Sequence, residues 1–366
     1  MTGLWWAQIK SVVRLELRKT LFARRGLWIY VLALLPLLLF LVHAIVVSHD
    51  RDRSSQLAAR SQKHLTYQDF LAIKPEMTRQ EVVERLGNPP VRFHWRGQRP
   101  LKSGEFTNTL NEAYRYSDGT NDLFVDLTDD KVIAVHIRGG FNVSEDSIVF
   151  AGVFQFFYLR LAIFFGCLGI FMNLFRGEIL DKSLHFYFLA PIRREVLMVG
   201  KFLAGVLATC IIFVTSELLQ IFVFTQQLSP NVRDLYLYQN HGLQQAAAYL
   251  GITALACLGY GAFFLAAGML FRNPILPAAA ILIWESMNPF LPALLKKFSV
   301  IYYLKSLCPV EIPTPMGTPA LLSLLVSNPD PVSAPVAILG IVIVAMLVLY
   351  VSSFQVRRME INYTSE

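Results

Sequence analysis

Charge is what this sequence has least of. Only 16% of its 366 residues are Asp, Glu, Lys or Arg, where an ordinary soluble domain carries about a quarter. A solvated globular chain is thereby excluded as a description of the whole protein. Cysteine is scarce as well: Cys167, Cys210, Cys257 and Cys308, none of them in the polar stretch 48–147. That stretch therefore folds without disulfides, and no Cys/His cluster has the spacing of a metal site. A G-x-x-x-x-G-K-[ST] sequence is missing, so the chain does not hydrolyse ATP by itself. H-E-x-x-H, G-x-S-x-G and paired aspartates are missing from the apolar runs, which argues against an intramembrane hydrolase.

Long apolar runs are what the sequence has instead. Hydrophobic residues make up 54% of it, and six runs approach the roughly 20 residues that a bilayer requires. They are Leu27–Val47, Ile148–Phe175, Phe202–Phe224, Ala246–Phe271, Ile275–Leu295 and Ala334–Phe354. The first has an apolar core too long for a signal peptide and no clean cleavage site, so it reads as an uncleaved span. Small residues crowd the fourth (Gly251, Gly259, Gly261, Ala262, Ala266, Gly268), which suits close helix packing.

Basic residues orient the spans. Lys10, Arg14, Arg18, Lys19, Arg24, Arg25, Arg176, Lys182, Arg193, Arg194, Lys201, Arg272, Arg357 and Arg358 all fall on one side, against Arg233, Lys296, Lys297 and Lys305 on the other. The positive-inside bias places both termini in the cytoplasm and the segment 48–147 outside. That segment is nearly neutral, with 14 basic and 15 acidic residues. The net charge of +7 thus belongs to the cytoplasmic face and its contact with membrane lipids, and is no sign of nucleic-acid binding.

Residues 1–26 read as a helix lying in the cytoplasmic interface. Trp5, Trp6, Ile9, Val12, Val13 and Leu17 share a face, with Lys10, Arg14 and Arg18 in a stripe beside it. Glu16 falls on the apolar face. It either reaches out to Lys19 or a lipid headgroup, or it meets a partner subunit.

Residues 48–147 read as a small α+β domain. Thr78 and Glu81 form a capping box before the apolar face of Val82, Val83 and Leu86, and Gly87 and Pro89 stop the helix. Strands are expected over Val91–Arg96, Asn111–Ser117, Leu123–Leu127 and Val132–Ile137, with turns at Asp118-Gly119 and Asp129-Asp130. The phrase I-K-P-x-M-T-x-x-x-V-x-x-x-L-G-x-P, from Ile73 to Pro89, and the later D-D-K-V resemble the BamE/SmpA-like domain of bacterial envelope proteins, over Thr66 to Arg138. Glu76 departs from that pattern, in which Gly is usual. The resemblance implies an exported binding module, for substrate or for an extracytoplasmic partner. His64, His94 and His136 are scattered and form no catalytic set.

Two further segments resemble the permease subunits of type-two ATP-binding-cassette exporters. They are ELRKTLFARRGLW before the first span and GEILDKSLHFYFLAPIRREVLMVGKFLAG after the second. Ile179, Leu180, Ser183, Leu184 and Tyr187 line one helical face, Pro191 ends it, and Phe186 and Phe188 are too apolar for a solvated turn. The resemblance makes residues 176–201 a cytoplasmic coupling helix for a separate ATPase subunit. Glu178, Leu180, Leu184, Tyr187, Pro191, Arg193 and Arg194 become its coupling residues. It also implies a second permease copy, identical or not, and a bacterial inner membrane. ATP and Mg²⁺ would be bound by the partner, and no cofactor or metal by this chain.

Ionisable groups inside spans are expensive and mark candidate sites. His43, Arg160, Glu217 and Glu285 are those present, lining a substrate path or a dimer interface, or forming internal ion pairs. Pro289 and Pro292 interrupt the fifth run near its outer end, and 299–333 is expected to form short outer-face helices. The organisation expected is therefore a six-helix membrane domain (27–47, 148–175 and 202–354) with 1–26 and 355–366 in the cytoplasm. The reading is an ATP-driven exporter subunit, which is not itself an enzyme. The alternative is a membrane-anchored scaffold whose exported domain binds a partner.

Overall fold

A computed structural model describes residues 2–22, 26–100, 106–138, 143–180, 189, 192–228, 230–271, 275–313 and 332–358. The chain divides into two units, Leu41–Asp146 and Met1–Phe40 with Ser147–Glu366.

In the membrane unit, α1 spans Thr2–Leu21 and α2 spans Leu27–Arg60. Expected to end at Val47, α2 runs on, because the polar residues after it include no Gly or Pro to stop it. Within Leu41–Asp146, α3 (Tyr67–Leu71) and α4 (Arg79–Leu86) precede a four-stranded antiparallel meander. The strands are β1 Val91–Pro100, β2 Phe106–Ser117, β3 Asp122–Thr128 and β4 Lys131–Arg138. The Thr78 capping box forms: Thr78 N donates to Glu81 Oε2 at 2.9 Å, and Glu81 N donates back to Thr78 Oγ1. A second box, Thr66 with Asp69, starts α3. Asp129 and Asp130 both have positive φ, 48° and 64°, the geometry of a two-residue turn matched to strand twist.

One face of the sheet contributes Tyr114, Tyr116, Leu123, Val125 and Leu127 to a core completed by Phe70, Ile73, Val82 and Leu86. Burying each of these larger side chains contributes about 1.5–3 kcal/mol. β1 inverts the usual alternation. Arg92 and His94 share the register of the covered face, through Tyr114 and Glu112, whereas Phe93 and Trp95 lie on the other face, 57% and 49% exposed.

The second crossing begins with α5 (Val143–Gly152), passes through a π-helix, Val153–Ile163, and continues as α6 (Phe164–Leu180). Then come α7 (Arg194–Gln226), α8 (Gly242–Leu270), α9 (Ile275–Ser286), α10 (Val300–Ser306) and α11 (Ala334–Arg358). Among the described residues five helices are long and apolar enough to cross a membrane. The chain is a multi-pass helical membrane protein with an inserted α+β domain. The fifth expected span does not form one long helix. α9 has 12 residues, about 18 Å, and stops three residues before Pro289.

Small residues set the helix spacing. A Cβ on Gly205 of α7 would come within 2.5 Å of the Phe171 ring, and one on Gly261 of α8 within 2.4 Å. Phe171 of α6 is therefore a wedge between two helices that only glycine lets this close. Val12 of α1 takes the corresponding place against Gly200, 2.9 Å from where its Cβ would be.

Candidate functional site: a buried charge clamp

α1 lies on α7 through Ile9, Val12 and Glu16, spaced three and four apart, with Val12 and Glu16 buried. Glu16 is therefore internal. Its partner is Lys201, on the second turn of α7 and wholly buried. Lys201 Nζ donates to Glu16 Oε1 at 2.7 Å, to Glu178 Oε2 at 2.7 Å and to the Leu174 carbonyl at 2.8 Å. These three acceptors match the three donors of an ammonium group. Lys19, half exposed, reaches the other oxygen of Glu178 at 3.2 Å. The Phe175 ring lies 5.4 Å from Lys201 Nζ.

From the sequence Glu16 is expected at Lys19 or a lipid headgroup, or against a partner subunit, and Lys201 counts only among the basic residues that orient the spans; the structure joins the two. The available signal was the pairing of an acid on an apolar helix face with a lysine two turns into a span.

Neighbouring contacts extend the clamp. Arg193 stacks over Trp5, 5.0 Å from the ring centre. Arg194 Nη1 donates to the Arg357 carbonyl at 2.9 Å, and Arg357 pairs with Glu195. The start of α7 thus gathers α1, the end of α6 and the end of α11. Trp6, Arg14 and Arg18 of α1 are exposed, Trp6 by 69%. Leu180 is the last residue of α6. Leu184, Tyr187 and Pro191 lie outside the described residues.

The four intramembrane candidates occupy different settings. His43, in the inserted unit, faces Asp146 at 3.7 Å. Arg160 sits on the π-helix, its guanidinium 5.5 Å from the Phe156 ring centre and its Nε buried without a hydrogen-bond partner. Glu285 caps a helix: its carboxylate accepts from Ser299 Oγ, Val300 N and Ile301 N at 2.9, 3.0 and 2.8 Å, the first donors of α10. A carboxylate there satisfies orphan amides and complements the helix dipole. Glu217, on α7, is fully buried with neither oxygen hydrogen-bonded.

The inserted domain has its own buried network, missed in the sequence. Glu112 accepts from Arg92 at 2.8 and 2.9 Å and from the Tyr114 hydroxyl, with Arg79 at 3.7 Å. Burial, then the bond to Glu112, pushes the Tyr114 hydroxyl up to about 12. Burial pushes Glu112 up, but the hydrogen bonds from Tyr114 and Arg92 and the two arginine charges outweigh it. The carboxyl therefore stays below its usual range.

No family model, curated protein or solved structure matches the chain.

Proposed function

We propose that the protein is the membrane-spanning subunit of an ATP-driven exporter, worked by a separate ATPase that docks on the coupling segment, residues 176–201. The observation that carries this reading is the clamp: Lys201, Glu16 and Glu178 tie α1, α6 and α7 together at both ends of that segment. A push on the segment then moves three helices as one body, because separating the buried charges is costly. The resemblance in ELRKTLFARRGLW and GEILDKSLHFYFLAPIRREVLMVGKFLAG supports the same assignment. ATP and Mg²⁺ would be held by the ATPase, and a second permease copy would complete the path. The setting would be a bacterial inner membrane, with both termini in the cytoplasm and the inserted domain outside.

Six crossings fit this arrangement. α1 and the end of α11 meet at the same end of α7, which suits an even number of crossings between them. Five helices are long. The sixth crossing would be a broken one, α9 followed by α10, with Glu285 closing the break. Broken spans occur where freed backbone is satisfied within the protein, as the amides of Val300 and Ile301 are.

A scaffold role is favoured by one observation, the exposed Phe93 and Trp95 on the open sheet face. Under that reading the spans only hold the domain in place. The two readings separate when the chain is co-expressed with an ATPase subunit and purified through its own tag in mild detergent. Retention of the ATPase supports the exporter, and a chain that purifies alone overturns it.

A further inference from the structure

The core of the membrane unit holds a carboxyl group that the clamp does not use. Glu217 lies 16 residues beyond Lys201 on α7, about 24 Å along the helix. It is 0% exposed and both its oxygens lack a hydrogen-bond partner. Two hydroxyls of α8, Tyr249 Oη and Thr253 Oγ1, are buried in the same condition, one helical turn apart. Tyr158 of the π-helix meets α7 one turn before Glu217, at the Phe213 carbonyl, and packs through the Phe154 ring onto Tyr249.

The remaining groups around it are committed elsewhere. The Tyr158 hydroxyl donates to the Phe213 carbonyl, and Ser216 donates to the Ala33 carbonyl of α2. Cys257 of α8 is fully buried. Arg160 of the π-helix lies against the Phe156 ring, and the charges of α1, α6 and α11 engage the opposite end of α7. Glu16, Lys19 and Glu178 gather at Lys201, and Arg357 pairs with Glu195.

Two more features point to a ligand here. The π-helix runs for 11 residues where an α-helix would bond more favourably, and π turns concentrate at functional sites. A cavity of about 20 Å³, lined by Tyr249, Ile221, Thr225, Gln245 and Ser147, is large enough for a water molecule. Ile221, which lines the cavity, is one turn along α7 from Glu217, about 6 Å along the helix axis.

We propose that Glu217 is a proton-binding site inside the bundle, supplied from this cavity past the Tyr249 hydroxyl. The carboxylate takes a proton from hydronium, leaving water and a neutral acid, and release reverses the step. An ionised carboxylate at this position has no donor to hold its charge, whereas the acid can both donate and accept. Among the described residues no three His, Cys, Asp or Glu side chains gather to hold a metal ion. The inference is independent of the exporter reading.

The test is modification of the full chain in detergent by dicyclohexylcarbodiimide, an apolar reagent that forms a stable adduct with protonated carboxyls. Peptide mapping reads the rate at each site. The expected result is an adduct at Glu217 whose rate falls about tenfold per pH unit above its titration point. Glu217→Gln removes the adduct, and mapping of the unaltered chain assigns the site if that variant does not fold. An absent adduct at Glu217, or a rate unchanged between acid and alkaline pH, overturns the proposal. Neither readout needs an ATPase or a substrate.

Discussion

Lys201 Nζ lies 2.7 Å from Glu16 Oε1, joining positions 185 residues apart in the chain. The bond converts an N-terminal amphipathic helix, which could simply have floated at a lipid interface, into a packed part of the bundle. Its energetic role is asymmetric. A buried pair contributes little over an apolar substitute of equal volume, yet losing one partner strands the other's charge.

Lys201→Met is therefore expected to cost about 3–5 kcal/mol, since it leaves Glu16 and Glu178 without their shared cation. Adding Glu16→Gln to that variant should recover part of the loss, a coupling of about 1–3 kcal/mol in a double-mutant cycle. Unfolding in detergent measures both. A Lys201→Met protein as stable as the parent would show that the clamp does not hold the helices.

Glu76 has a φ of 75°, a left-handed conformation that costs a residue with a side chain about 1–2 kcal/mol. Glu76→Gly should stabilise the inserted domain by about 1 kcal/mol, after the greater freedom of glycine in the unfolded chain is subtracted. Slower amide exchange in β3 and β4 would report it, and faster exchange would contradict it.

Glu112 should make the inserted domain acid-sensitive. Its folded value lies below its unfolded one, so its stabilisation is present above the unfolded carboxyl range of about 4.3. That stabilisation is lost as the pH falls through the folded value. Trp fluorescence followed from pH 6 downward should show the loss. Glu112→Gln should flatten that part of the curve, and an unchanged acid limb would exclude the network as its cause.

Cysteines introduced at Ser11 and Thr120, both exposed, in a background without native cysteine, should react with an impermeant maleimide from opposite sides. Labelling of both from the same side would contradict the orientation read from the basic residues.

Much of this architecture was legible because it rests on local rules. Apolar runs marked the long helices, and Thr78 with Glu81 marked the start of α4. The strand cores and the Asp129-Asp130 turn followed from alternation and turn chemistry. What stayed hidden depends on tertiary contact. Lys201 looks like a solvent-facing lysine at a span end until α1 is packed over it. The π-helix at Val153–Ile163 has no sequence signature, because its apolar residues suit an α-helix equally. The break after Ser286 was foreshadowed by Pro289 and Pro292. The use of Glu285 as a cap on α10 was not, since it joins positions 14 to 16 residues apart. The departure at Glu76 was visible, and its left-handed φ supplies the physical reason that glycine would suit the position.

The central claim is that residues 176–201 pass work between an ATPase and this bundle. Its most direct measurement is the ATPase turnover of the partner, reconstituted in lipid with the chain and with its Leu184→Asp variant. The account predicts that the chain changes turnover and that the variant abolishes the change while its unfolding temperature stays the same, because a carboxylate in the docking face is left unpaired. Equal turnover with the chain, the variant and empty lipid would contradict it.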